Sequence, residues 1–212
     1  VADCDLSRTR EVSWTTIGVM EQPSTNLTAD VLIDEEAEPD LSIWFGCLET
    51  ARTELAQAAI AAASVEECDR GSVGVRICDD ATIHPINREF LQHDYPTDVI
   101  SFPYELEPPM VEGELVASFE TAIENASEPS NPLSPREELL LYVVHGTLHI
   151  VGHDDQSPEP RAAMRRAEIA AMKLIGIELP LSNDEDSAPE QDDSFDDDAS
   201  DSSGGIMSGG VS

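Results

Sequence analysis

Apolar and polar residues alternate along the chain with two different periods, and each change of period marks a predicted element. A short apolar stretch at 29–33 predicts a strand, as do valine and isoleucine at alternate positions of 72–78. Between them, apolar residues at helical spacing from 41 to 59 predict one amphipathic helix that begins after Pro39. Asp79 predicts the N-terminus of a further helix, which should run to about residue 90. The first half of the chain therefore alternates strands with helices.

Two more strands and a well-marked helix start follow. Residues 98–102 and 113–118 are short, apolar and bounded by proline or glycine, as buried or hairpin strands are, and a proline-rich loop is expected between them. Ser134 then supplies an N-cap, Pro135 the first helical position and Glu137 the third. This order predicts a capping box, so a helix should begin here.

The helix that begins at Pro135 is expected to be the central helix of the fold. It carries six consecutive apolar residues at 139–144, and apolar residues on all of its sides predict that it is buried. A last helix is predicted at about 159–175, ending at Gly176.

These elements predict the α+β class, with a small mixed sheet packed around the central helix. With 212 residues and 40% hydrophobic content, the chain has enough apolar material for one core. We expect a single domain at 29–180, preceded by a weakly ordered extension at 1–28. Residues 181–212 hold ten acidic side chains and no basic one, which predicts an acidic, disordered tail.

The net charge of −33 should keep the protein in solution and repel nucleic acid at long range. No stretch approaches the roughly 18 consecutive apolar residues of a membrane span, and the first residues lack the apolar centre of a secretory signal. The expected location is the cytoplasm. Four of the few basic residues lie on the last predicted helix, and we expect them to pair with neighbouring acids: Arg161, Arg165, Arg166 and Lys173.

Two histidines at the end of the central helix indicate a transition-metal site. His145 and His149 are four residues apart, a rotation of about 400° on a helix, so both imidazoles lie within about 40° of each other. Hydrogen bonding alone would also account for an isolated pair at this spacing. Three of the five histidines fall within nine residues, however, directly after a buried apolar segment. We therefore expect one bound metal ion, most simply Zn²⁺.

A third ligand must follow a break in the helix. On a straight helix, His153 would lie about 12 Å along the axis from His145, too far to share an ion. Gly152 is the expected break, after which the chain can turn back. Spacing leaves His153, Asp154 and Asp155 open as the third ligand.

The motif that contains these residues resembles a known family. His145, Gly146, Leu148, His149, Gly152 and Asp154 are in register with the motif His-Gly-x-Leu-His-x-x-Gly-x-Asp-His of the YbeY-type bacterial metallo-endoribonucleases. The segments 96–103 and 113–118 are similar to two of that family's strands, and Ile86 with Asn87 to a helix end. The resemblance covers about residues 29–177.

The resemblance implies a single-strand-specific, metal-dependent endoribonuclease. Members of the family act in ribosomal RNA maturation, at the 3′ end of the small-subunit RNA, and in ribosome quality control. It implies RNA and the ribosomal small subunit as partners, without DNA or membranes. Its metal ligands fall on His145, His149 and Asp155.

Four residues near the upstream motif are candidates for a substrate cleft: Arg88, Thr97, Asp98 and Ser101. For Thr97 and Asp98, capping a turn before a buried strand is the competing interpretation. The sequence assigns no catalytic side chain.

Two positions differ from the family pattern. Asp155 stands where the family usually has a third histidine, which lowers the formal charge of the ion and its ligands from +2 to +1. Leu91 stands where the family usually has an arginine implicated in catalysis, and leucine cannot orient a phosphate.

The histidine pair also occurs in two other kinds of protein. The first is a zinc protease of the His-x-x-x-His type. Such an enzyme needs a glutamate beside the first histidine as general base, and Gly146, which has no side chain, argues against it. A non-catalytic, zinc-stabilised protein that binds ribosomes is favoured by Leu91 and by the negative charge.

Overall fold

The computed structural model of the protein describes residues 26–180. Within this range the chain forms four strands and six helices, in an α+β arrangement that confirms the predicted class. The strands are β1 (Asn26–Ile33), β2 (Arg70–Cys78), β3 (Val99–Glu107) and β4 (Met110–Ser118). The helices are α1 (Glu38–Phe45), α2 (Leu48–Val65), α3 (Asp80–Phe90), α4 (Phe119–Ala126), α5 (Pro135–Ile150) and α6 (Pro158–Leu174).

The four strands form one mixed sheet in the order β1-β2-β4-β3. The pairs β1–β2 and β2–β4 are parallel, whereas β3 and β4 form an antiparallel hairpin. Val75 in β2 lies between Val31 and Leu115 of its neighbours, so inward-facing apolar residues form rows across the sheet. Side chains alternate between the two faces of each strand, and the register aligns the apolar ones on one face of the sheet. This face packs against the helices.

Helix α5 is the central helix, as its sequence predicts. Ser134 accepts a hydrogen bond from the Glu137 backbone N–H and Glu137 accepts one from the Ser134 backbone N–H, so the capping box is present. Leu139, Leu140, Val143, Val144, Leu148 and Ile150 are all buried. The helix packs on β3 and β4 and against α2, α4 and α6. The opposite face of the sheet is partly covered by α3, through a smaller apolar cluster around Ile83 and Ile100.

The prediction of one helix at 41–59 is wrong in one respect, because this segment forms two helices, α1 and α2. Gly46 adopts a left-handed conformation with φ 81° and ends α1, and Cys47 is extended before α2 begins. The apolar spacing continues across this break because both helices bury a face in the same core.

Three further differences concern element boundaries. The proline-rich loop expected between the hairpin strands is only a turn at Pro108-Pro109, since β3 and β4 extend much further than their apolar segments. Helix α4 was not predicted. Strand β1 begins at Asn26, inside the segment assigned to the N-terminal extension. The rest of that extension and the acidic tail lie outside the described residues.

None of the helices within residues 26–180 is both long enough and apolar enough to cross a membrane.

Candidate metal centre

The last two turns of α5 bring the imidazoles of His145 and His149 together. Their Nε2 atoms are 2.9 Å apart, and the rings meet edge to face with centroids 4.6 Å apart. Both residues are half-buried, whereas the neighbouring apolar positions of the helix are fully buried. The i, i+4 spacing has therefore placed two nitrogen ligands on one side of a buried helix.

The chain turns back directly after this pair. Gly152 has φ 98°; its N–H donates to the carbonyl of His149 (3.1 Å) and the N–H of His153 donates to Leu148 (2.9 Å). These two bonds form the Schellman motif that glycine favours at helix ends, as the sequence predicts for this position. The turn brings Asp155 back to the helix, with Oδ2 3.8 Å from His145 Nε2. One ligand atom from each of His145, His149 and Asp155 lies within 4.8 Å of the others.

The other two candidates for a third ligand have different partners. His153 points to the end of α2, where its Nε2 lies 2.8 Å from Glu66 Oε1. The Asp154 carboxylate accepts backbone hydrogen bonds from Asp155 and Gln156, at 2.7 and 3.1 Å. Of the three residues that spacing leaves open, Asp155 is the one whose side chain approaches the histidine pair.

The hydrogen bonds of the two Nδ1 atoms determine which ring nitrogens carry protons. His149 Nδ1 lies 3.0 Å from the carbonyl oxygen of His153, which can only accept, so Nδ1 carries the hydrogen. His145 Nδ1 likewise lies 2.7 Å from Glu168 Oε1. With neutral rings, both Nε2 atoms then present lone pairs to each other across 2.9 Å. A metal ion held by both Nε2 atoms, or a proton on one of them, makes this arrangement favourable.

The spacing of the donor atoms also suits a single metal ion. Ligands at about 2 Å from a tetrahedral ion lie about 3.3 Å from each other. The 2.9 Å between the two imidazoles and the 3.8 Å between His145 and Asp155 bracket this value. Small side-chain adjustments would therefore allow these three residues to hold one ion.

Glu168 dominates the electrostatics of the site. Burial by itself lowers the pKa of His145. The hydrogen bond to Glu168 and the negative charges of Glu168, Asp98 and Asp155 have a larger combined effect, so the pKa of His145 is raised. Burial raises the pKa of Glu168, but hydrogen bonds from His145 and Arg165 outweigh it and lower that pKa. The carboxylate of Glu168 is therefore ionised beside the imidazole.

Gly146 allows α5 to lie unusually close to the hairpin. A Cβ atom at this position would lie 2.8 Å from Val99 Cγ2 and 3.0 Å from Ser101 Oγ. Ser101 donates a hydrogen bond to the Gly146 carbonyl at 2.9 Å. The glycine thus brings β3 next to the turn that carries His145.

The four predicted cleft residues differ in position. Ser101 lies against α5 beside the histidine pair. Thr97 donates to Asp98 Oδ1, which also accepts from the Val99 backbone, so these two residues cap the start of β3 as the competing interpretation holds. Asp98 nevertheless lies close enough to affect the pKa of His145. Arg88 is exposed on α3 and its Nη1 lies 3.9 Å from Asp94, so it is directed to that carboxylate.

Leu91 ends α3, and its side chain is 49% exposed. The loop that follows is anchored by Asn87, which is buried and donates from Nδ2 to the Tyr95 carbonyl at 2.8 Å. Leu91 therefore lies on the surface of a loop that leads directly into β3.

Sequence reasoning missed Glu168, although the sequence contained a signal. On α6 the residue falls on the apolar face, one turn after the buried Met164 and close to the buried Ala171 and Met172. A carboxylate on a buried face requires a partner. The expectation that the basic residues of this helix pair with acids is confirmed for Arg165, whose Nη1 donates to Glu168 at 3.0 Å.

Fold and site together define a small α+β protein with a cluster of potential metal ligands at the end of its buried helix. A family model described as "Endoribonuclease YbeY" matches residues 46–176. The chain belongs to the YbeY endoribonuclease family.

Two relatives of known family agree with this assignment. The chain is 98% identical over 194 residues to the Endoribonuclease YbeY of Rhodopirellula baltica, covering 92% of this chain and 100% of that protein. It is 39% identical over 105 residues to the Endoribonuclease YbeY of Chlorobium phaeovibrioides, covering 50% of this chain and 69% of that protein. The solution structure of TM1509 from Thermotoga maritima aligns with 24% identity and a TM-score of 0.43, covering 69% of this chain and 90% of that one.

Proposed function

We propose that this chain is a metal-dependent endoribonuclease that cleaves single-stranded RNA during maturation of the small-subunit ribosomal RNA. The observation that carries this proposal is the convergence of His145, His149 and Asp155 within 4.8 Å, with the Nε2 atoms of the two imidazoles 2.9 Å apart. Membership of the YbeY family supplies the reaction class.

His145, His149 and Asp155 would hold one Zn²⁺ ion. Held by these residues, the ion would supply Lewis-acid chemistry, activating water and polarising phosphoryl oxygens, which phosphodiester hydrolysis requires. The protein orients both imidazoles through their Nδ1 partners and holds a carboxylate beside them. The hydroxyl of Ser101, which donates to the Gly146 carbonyl, lies beside the histidine pair and would be near a bound substrate.

The partners follow from the same proposal. RNA is the substrate, the ribosomal small subunit is the assembly on which the enzyme works, and ribosome quality control is a further setting for the same cleavage. The cytoplasm is the proposed location. DNA lacks the 2′-hydroxyl that RNA offers as a recognition group.

A second candidate function is a zinc-stabilised protein that binds the ribosome without cleaving RNA. The exposed Leu91 favours it, because no guanidinium is present at that position to hold a phosphate.

Metal content and RNA cleavage, measured side by side, test the proposal. The native chain should bind one equivalent of zinc and cleave a single-stranded RNA, and His149→Ala should lose both. His84→Ala is the matched control. His84 lies on α3 and pairs with Asp94 in the loop after that helix, and within residues 26–180 it belongs to no cluster of potential metal ligands. One equivalent of zinc without RNA cleavage in the native chain would favour the second candidate, and no bound metal would refute both.

A further inference from the structure

Glu168 is a buried carboxylate on α6 whose two oxygens have different partners. Oε1 accepts a hydrogen bond from His145 Nδ1 at 2.7 Å, and Oε2 accepts one from Arg165 Nη1 at 3.0 Å. The residue is only 8% exposed. Removing a carboxylate from water is unfavourable without strong partners, so the arrangement of these three side chains is specific.

We propose that Glu168 is a positioning residue for the metal centre: it holds His145 in the tautomer and orientation that present Nε2 to the ion. The inference rests on the proposed function, because it requires His145 to be a ligand. A ring hydrogen-bonded through Nδ1 to an anion keeps its Nε2 lone pair free and more basic. His149 has only a neutral carbonyl at the corresponding place. The two candidate ligands therefore differ in the partner of Nδ1, which is a carboxylate for His145 and a carbonyl for His149. His145 is the stronger donor to a metal ion.

Arg165 completes the arrangement by offsetting the charge of Glu168. The carboxylates of Asp155 and Glu168 carry two negative charges. Together they would cancel the formal charge of a divalent ion. The guanidinium beside Glu168 restores one positive charge close to the site while leaving the carboxylate bonded to His145. Glu168 can thus orient the imidazole without neutralising the site that must accept a phosphodiester.

A purely structural role for Glu168 makes a different prediction. If its hydrogen bond to His145 only held α5 and α6 together, its loss would lower the free energy of unfolding without a specific effect on metal affinity. Glu138, in the first turn of α5, provides a matched control. It is also a buried carboxylate, 6% exposed, and it accepts a hydrogen bond from Asn131 in the preceding loop. It lies seven residues before His145, about 10 Å along the helix axis.

The experiment measures Zn²⁺ affinity of the full chain by competition with a chromophoric chelator. Glu168→Ala should weaken zinc binding about 10- to 100-fold, the usual effect of losing the partner of a ligating histidine. Glu168→Gln keeps an acceptor for Nδ1 but loses the charge, so it should weaken zinc binding by only about fivefold, less than Glu168→Ala. Glu138→Ala should leave zinc affinity unchanged. With bound Co²⁺, the visible absorption bands should shift in Glu168→Ala and not in Glu138→Ala.

The outcomes separate the inference from the proposed function. If the native chain binds no zinc, the proposed function fails and the inference fails with it. If the native chain binds zinc and Glu168→Ala binds it equally well, or if Glu168→Ala and Glu138→Ala weaken binding equally, Glu168 has no positioning role. Should Glu168→Ala not fold, Glu168→Gln decides: unchanged zinc affinity and an unchanged Co²⁺ spectrum would overturn the inference.

Discussion

At the scale of single residues, Asp155 changes the charge of the candidate site. If Asp155 is a metal ligand, as proposed, a carboxylate where the family usually has a third histidine would leave the ion and its ligands with a smaller positive charge, and a bound water would be acidified less. The pairing of Glu168 with Arg165 limits this effect by keeping one further negative charge neutralised. The charge at the candidate site thus depends on residues of α5, of the turn after it and of α6.

Replacing the candidate third ligand should separate Asp155 from its neighbour. Asp155→Ala should lower zinc affinity more than about 100-fold, a larger effect than the loss of a supporting residue. His153→Ala should change zinc affinity by less than about fivefold, because it removes a partly exposed pair with Glu66 and keeps the backbone carbonyl that orients His149. Isothermal titration with Zn²⁺ measures both. A loss of affinity in His153→Ala, with Asp155→Ala unaffected, would show that the ligand assignment is wrong.

Restoring an arginine at position 91 should improve RNA cleavage. Leu91 is 49% exposed at the end of α3, so a longer side chain fits without repacking, and a guanidinium there can form bidentate bonds to a phosphate. We expect Leu91→Arg to raise kcat/KM for a single-stranded RNA by about tenfold, equivalent to one charge-assisted hydrogen bond. Leu174→Arg, at the end of α6 where the leucine is 66% exposed, is the control for added positive charge alone. Equal gains in both variants would contradict a specific role for position 91.

At the scale of elements, the site depends on how closely α5 approaches the β3–β4 hairpin. Gly146 allows this approach, and Ser101 bonds to its carbonyl. The Schellman motif at Gly152 then directs the chain back along the helix end. The positions of the three candidate ligands therefore follow from one helix, its end and one close packing contact.

Gly146→Ala should destabilise the protein despite the higher helix propensity of alanine. The propensity gain is about 1 kcal/mol, whereas an added Cβ 2.8 Å from Val99 Cγ2 forces repacking that costs about 1–3 kcal/mol. We expect a net loss of about 1 kcal/mol in the free energy of unfolding, measured by urea denaturation of the metal-free protein. In a Ser101→Ala background the loss should be smaller, because one of the close contacts is gone. A stabilised Gly146→Ala variant would show that α5 can move away from β3 at no cost.

At the scale of the whole molecule, the charge of −33 opposes the approach of RNA. Recognition must then depend on short-range contacts at the cleft, since the long-range field is repulsive. The described fold provides a rigid frame for such contacts, with α5 held on four sides by the hairpin, α2, α4 and α6.

The association rate with a short single-stranded RNA should rise as NaCl increases from about 50 to 200 mM, because salt screens the repulsion between like charges. This is the opposite of the usual behaviour of nucleic-acid-binding proteins, whose affinity falls steeply with salt. Stopped-flow fluorescence with a labelled RNA and the catalytically inactive His149→Ala variant measures it. A steep fall in the rate would reveal a basic surface that dominates the net charge.

The local features of this protein were determined by its sequence. The capping box at Ser134, the helix ends at Gly152 and Gly176, the cap at Asp79 and the histidine pair on α5 all depend on residues within one or two turns of each other. Such short-range hydrogen bonds and spacings do not require knowledge of distant contacts, so the α+β class and the site's location could be predicted.

The tertiary structure decided the features that depend on distant residues. His153, Asp154 and Asp155 are equivalent by spacing. They are distinguished by Glu66, which follows α2 and pairs with His153, and by the turn that returns Asp155 to the helix. The bond between Glu168 and His145 joins residues 23 positions apart and forms only when α6 packs on α5. These contacts arise from the packing of separate elements in one core, which the local pattern of a single element does not specify.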